Sequence, residues 1–119
     1  MLVTDEESRG KVLTALADEY SRKILSATIQ KAMPVSDLSA SYRIPISSTY
    51  RRVRDLLELG LLAVEKSVIS DEGKRFELYR STAKRVDIRF NLGDVEIEII
   101  PNDDMVAQFT RLWTLMKGM

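Results

Sequence analysis

Apolar residues recur at helical spacing through the first half of the chain and at every second position through most of the second half. Thr4-Asp5-Glu6-Glu7 has the Thr-x-x-Glu form of a capping box and predicts a first helix running to about Ala17. Asp18 is placed to cap a second helix, in which Tyr20, Ile24, Leu25, Thr28, Ile29 and Ala32 repeat until Met33-Pro34 ends it. Ser36 then caps a short third helix carrying Leu38, Ala40 and Tyr42, and Arg43-Ile44-Pro45 turns the chain into a fourth. That fourth helix covers residues 46–59, has Ile46, Thr49, Val53, Leu56 and Leu57 on its apolar side, and stops at Gly60. Its other side carries Ser47, Ser48, Arg51 and Arg54, flanked by Tyr50 and Arg52.

Beyond Gly60 the period becomes extended, through Leu61, Leu62, Val64, Val68 and Ile69 and again through Phe76, Leu78 and Tyr79. Between these runs lies Ser70-Asp71-Glu72-Gly73-Lys74-Arg75, so a hairpin with a basic tip is expected. In a second hairpin, Val86, Ile88 and Phe90 face Val95, Ile97 and Ile99 across an Asn91-Leu92-Gly93-Asp94 turn. A four-residue loop there sets Arg89 opposite Glu96 and Asp87 opposite Glu98, the latter a like-charge pair. Pro101 breaks the strand and Asn102 caps a final helix opened by Asp103-Asp104. Met105, Val106, Phe109, Leu112, Trp113 and Met116 make a wide apolar stripe on that helix, too short to persist in water without something to cover it.

Composition narrows the chemistry. The 119 residues hold 45% apolar and 30% charged side chains, a globular mix fitting one domain with a modest core. There is no cysteine and no histidine, which removes disulfides, thiolate zinc sites, thiol nucleophiles and imidazole bases. No metal, no cofactor and no enzymatic activity are therefore expected. Glu96 and Glu98 share one strand face, but no nucleophile or phosphate-cradling glycine loop accompanies them. The apolar runs are too short for a signal peptide or a membrane span, so a cytoplasmic protein without a membrane partner is expected.

Net charge is zero, yet the charge is unevenly placed. Residues 43–85 hold ten Lys/Arg against six Asp/Glu, whereas residues 86–119 hold three against six. The positive excess coincides with the fourth helix and the first hairpin. On that helix Arg51 is suited to paired hydrogen bonds with guanine, and Ser47 and Ser48 to base edges or phosphates. Arg52, Arg54 and Tyr50 are placed for the DNA backbone, and Lys74 and Arg75 for flanking DNA. The bland alternative is a solvated surface whose arginines pair with Asp55 and Glu58.

Two short helices, a tight turn and a charged second helix make a helix-turn-helix. Ser47-Ser48-Thr49-Tyr50-Arg51-Arg52-Val53, followed by Leu56-Leu57-x-x-Gly60-Leu61-Leu62, resembles the recognition helix and wing entry of ArsR-like regulators of the archaeal type. Ala15-Leu16-Ala17-Asp18-Glu19-Tyr20-Ser21-Arg22-Lys23-Ile24-Leu25 resembles the opening of that family's second helix. Together these cover residues 12–82. Arg43 stands where a glycine is common, and the family's metal-sensing Cys and His ligands are missing.

The resemblance implies an α+β winged helix-turn-helix: four N-terminal helices, a β-hairpin wing, a second β-hairpin and a C-terminal helix. Residues 1–84 are expected to form the DNA-binding part. Residues 85–119 form a hairpin-and-helix extension continuous with it, and serve dimerisation through Phe109, Leu112, Trp113 and Met116. The implied function is a sequence-specific transcriptional regulator of double-stranded DNA, a homodimeric repressor. An apolar groove beside the last helix leaves room for a small-molecule effector. The alternative is a winged-helix adaptor whose arginine face meets an acidic protein.

Overall fold

The computed structural model of the chain describes residues 1–116; in the last helix the side chains of Gln108, Phe109, Leu112, Trp113 and Met116 lie outside the described set. The chain is α+β, with helices α1 (Glu6–Ala17), α2 (Glu19–Ala27), α3 (Val35–Tyr42) and α4 (Ile46–Leu59) preceding two antiparallel hairpins. Strands β1 (Leu62–Ile69) and β2 (Arg75–Ser81) form the first hairpin, and β3 (Ala83–Asn91) and β4 (Asp94–Pro101) the second. A 3-10 turn, Asp103–Met105, leads into α5 (Val106–Met116).

Helix ends depart from the sequence pattern wherever a stronger local partner exists. Asp5, not Thr4, caps α1, because its carboxylate accepts from both the Ser8 amide (2.8 Å) and the Ser8 hydroxyl (2.9 Å). Asp18 ends α1 and begins α2: its amide donates to the Ala15 carbonyl, and its carboxylate accepts from the amide and hydroxyl of Ser21. Helix α2 stops at Ala27 instead of continuing to Ala32. Buried Thr28 donates its hydroxyl to the Ile24 carbonyl at 2.9 Å, and Met33 is drawn into an antiparallel bridge with Tyr79 of β2. Pro34, not Ser36, occupies the cap position of α3, and no side chain caps that helix.

Between α3 and α4 the chain turns in three residues. Arg43 adopts the left-handed conformation (φ 54°), and the Ser39 hydroxyl donates to the Ile44 carbonyl at 2.6 Å, so Ile44 is buried in the elbow. Gly60 (φ 84°) ends α4 in the same conformation and releases the chain directly into β1.

One buried cluster joins the helices to the second hairpin. It includes Val12, Ile24, Leu38, Val53 and Leu56 from the helices, Leu61 and Leu62 at the entry to β1, and Ile97 and Ile99 from β4. Residues beyond position 84 thus share the core of those before it. Val3 and Met1 run along the outer edge of β4, with the Val3 amide donating to the Ile97 carbonyl and the Ile99 amide to the Met1 carbonyl, both at 2.8 Å.

In the second hairpin Asn91 pairs with Asp94, so the loop is the two residues Leu92-Gly93 and not the four expected. Both have positive φ (53° and 90°), the combination that matches the natural twist of paired strands. The register does set Arg89 opposite Glu96 and Asp87 opposite Glu98. Arginines relieve the like charges: Arg85 lies 3.0 Å from Asp87, and Arg89 lies 4.0 Å from Glu98.

At the joint between the hairpins, buried Arg80 donates to Glu65 (2.8 Å), Asp104 (2.7 Å) and the Ile29 carbonyl (3.0 Å). Asn102 donates to the same Ile29 carbonyl and to that of Ser81. A backbone carbonyl freed by the early end of α2 is thereby satisfied from two sides.

Candidate nucleic-acid interface

Helix α4 has one face in the core and one in solvent. Thr49, Val53, Leu56 and Leu59 are buried, while Ser47, Tyr50, Arg51 and Arg54 are exposed and Ser48 is half-buried. Ile46, expected on the apolar side, is 50% exposed, because at the first helical position it precedes the turn that meets the core. Arg51 makes no hydrogen bond or ion pair among the described residues, and Arg54 only approaches its neighbour Asp55 at 3.9 Å. Pro45 occupies the cap position without a side-chain cap bond, and no carboxylate lies in the first turn. The amides of that turn are open to an anion.

Arg52 points the other way. Its guanidinium holds the Asp18 carboxylate through two bonds (Nε to Oδ2, 3.0 Å; Nη2 to Oδ1, 2.9 Å) and lies over the Tyr20 ring, 5.6 Å from its centre. Only 21% of the arginine side chain and 29% of the aspartate are exposed. The hydrogen bonds from Arg52, helped by those from Ser21, hold the Asp18 carboxyl well below the usual carboxylate range. The Arg52 guanidinium is stabilised reciprocally as a cation by Asp18. Arg52, expected at the DNA backbone, is engaged within the chain, where it latches α4 to the start of α2.

In the first hairpin, Gly73 (φ 84°) shapes the turn and Lys74 stands exposed with no ionic partner for its ammonium among the described residues. Arg75 is committed along the strand instead, 3.2 Å from Glu77 and 3.2 Å from the Ser67 hydroxyl. Arg43, expected only as a turn residue, is exposed immediately before α4, without an ion pair among the described residues. Its adjacency to the helix start was the signal available for it.

The C-terminal half of α4 differs in sign. Asp55 and Glu58 line a cavity of about 850 Å³ between α1 and α4, together with Asp5, Glu7, Lys11 and Arg52, and no cation of α4 follows Arg54. No protein-family model and no curated protein matches this chain. Among the described residues, no group of three or more His, Cys, Asp or Glu is placed to hold a metal ion, and no helix is long and apolar enough to cross a membrane. The expected anchors Phe109, Leu112, Trp113 and Met116 fall outside the described side chains; elsewhere on α5, Val106 and Leu115 are exposed.

Proposed function

We propose that the chain is a winged-helix DNA-binding regulator of the ArsR-like kind, in which α4 reads the major groove and the β1–β2 hairpin is the wing. The observation that carries this reading is the outward face of α4. Its first nine residues present Ser47, Tyr50, Arg51 and Arg54 to solvent, its opposite face is buried, and its cap is open to phosphate. Helix-turn-helix proteins contact bases with the first turns of such a helix. Arg51 reads guanine, Arg54 and Arg43 hold phosphates, Ser47 and Ser48 lie against the backbone at the helix start, and Lys74 reaches flanking DNA. Two copies read two half-sites, joined through the second hairpin and α5, with Phe109, Leu112, Trp113 and Met116 as anchors, and repress by occupying promoter DNA.

A second reading has an observation of its own: Ile46 is 50% and Tyr50 61% exposed beside the arginines, a mixture that also suits an acidic protein partner. Fluorescence anisotropy with a random duplex separates the two. Under the DNA reading, affinity is measurable at low salt and falls steeply as salt is added. Arg51→Ala with Arg54→Ala, both on exposed side chains, abolishes binding while leaving the thermal transition unchanged. Undiminished duplex affinity of that double variant, or no binding at low salt, removes the DNA reading.

A further inference from the structure

Among the described residues, the second hairpin leaves one strand edge without a partner. On β4 the outer edge is taken by Met1–Val3, which bond to the Ile97 and Ile99 backbone. Among the described residues, strand β3 has only β4 beside it, in a two-stranded sheet. From Arg85 to Asn91 it runs without a bulge or a proline, two of the devices that protect an edge, and its charges, Arg85, Asp87 and Arg89, are of both signs. Large apolar side chains are exposed along it between the charged ones: Ile88 is 45%, Phe90 77% and the adjoining Leu92 96% exposed, beside exposed Lys84, Arg85 and Arg89.

The bonds between β4 and Met1–Val3 fix the direction of each backbone group on this edge. Since Ile97 and Ile99 turn their backbone groups to Met1–Val3, it is Glu96 and Glu98 that bond to β3, through their partners Arg89 and Asp87. The intervening residues Val86, Ile88 and Phe90 therefore aim their amides and carbonyls outward.

We propose that this edge pairs with the same edge of a second copy, β3 against β3 antiparallel, about a two-fold axis through Ile88. The charges select that register. Centring on Ile88 sets each Asp87 opposite the other copy's Arg89, whereas centring on Asp87 sets Asp87 against Asp87 and Arg85 against Arg89, like against like. Centring on Val86 restores opposite charges but needs Ser81–Ala83 at the interface, and those residues are buried in their own chain. In the favoured register Val86 faces Phe90 and Ile88 faces Ile88, each of these pairs exchanging backbone hydrogen bonds. Two hairpins become one continuous sheet whose exposed apolar side chains shield one another. This pairing would form the dimer of the proposed regulator and involves no DNA contact.

Because the chain has no cysteine of its own, single cysteines report the register directly. Across a hydrogen-bonded antiparallel pair the Cα atoms lie about 5.5 Å apart, within disulfide range. Ile88→Cys should therefore cross-link to itself rapidly under mild oxidation without DNA. Phe90→Cys, displaced from its own copy by four residues or about 14 Å along the strand, should not. Ile88→Pro removes an amide that β4 does not use, so circular dichroism should match the parent while the sedimentation-measured dimer constant weakens at least tenfold. A monomeric parent, a dimer indifferent to Ile88→Pro, or equal cross-linking at positions 88 and 90 overturns the proposal. Because these readouts omit DNA, their failure leaves the reading of α4 standing, and loss of DNA binding leaves them standing.

Discussion

The two hairpins are built alike and situated differently. Both are antiparallel, with strands of seven to nine residues. In the first, burial is confined to the base, at Leu62, Ala63, Arg80 and Ser81, and the chain beyond Val64 stands mostly in solvent out to Ile69 (71% exposed). In the second, strict alternation in β4 drives Ile97 and Ile99 into the common core while the polar side holds Arg89, Glu96 and Glu98. Interruption of the apolar alternation by Glu65, Lys66 and Ser67 produces the first arrangement, and the register shift between Val64 and Lys66 frees Glu65 to reach Arg80. Strand pairing is common to both. What one face is packed against decides whether a hairpin holds the fold together or reaches outward from it.

The largest expected effect tests that contrast directly. Ile97→Ala removes a fully buried side chain and should cost about 2–5 kcal/mol of unfolding free energy in a denaturant titration. The same truncation at Ile69 should change stability by no more than about 0.5 kcal/mol, since little of that side chain leaves water on folding. Similar losses at the two positions would mean that the first hairpin packs as the second does.

The contrast between the hairpins is visible in the alternation of the residues themselves, as are α4 and the register of the second hairpin. What sequence reading misses has one physical origin: partners far apart along the chain. Arg52 looks like one more cation on a basic helix, and only the fold brings Asp18, 34 residues earlier, against it. Asp18 is legible as a cap because Ser21 is three residues away, and illegible as an ion-pair partner. Likewise the apolar period beyond Thr28 favours helix, but pairing of Met33 with Tyr79 and satisfaction of the Ile29 carbonyl by Arg80 and Asn102 override it. Arg75 and Lys74 are alike in sequence, yet Glu77 and Ser67 claim only the former.

The latch between Arg52 and Asp18 gives the next effect. The first hairpin continues directly from α4, so weakening the seat of α4 should loosen that hairpin more than the second. Asp18→Asn retains an oxygen acceptor for the Ser21 amide but loses the charged pair, and should cost about 1–2 kcal/mol near neutral pH. Hydrogen exchange should rise more in β1–β2 than in β3–β4. The pH dependence has a definite sign. Folding lowers the carboxyl of Asp18 below its unfolded value of about 3.9, so its contribution is complete above that value and fades as acid protonates it. The stability gap between parent and variant should therefore narrow below about pH 4; a gap that stays constant or widens in acid would contradict the latch.

The smallest effect on the fold is expected at Lys74, where the outward-reaching character of the first hairpin is best tested. Its ammonium has no ionic partner among the described residues and its backbone bonds to Ser70 do not depend on the side chain, so Lys74→Ala should leave stability within about 0.5 kcal/mol of the parent. If the tip meets a phosphate in the proposed complex, duplex affinity should drop and the slope of log affinity against log salt should flatten by about one. Arg75→Ala, which removes a guanidinium already held by Glu77 and Ser67, should flatten it less. An unchanged salt slope for Lys74→Ala would take the tip away from the DNA. The first hairpin would then differ from the second only in being uncovered.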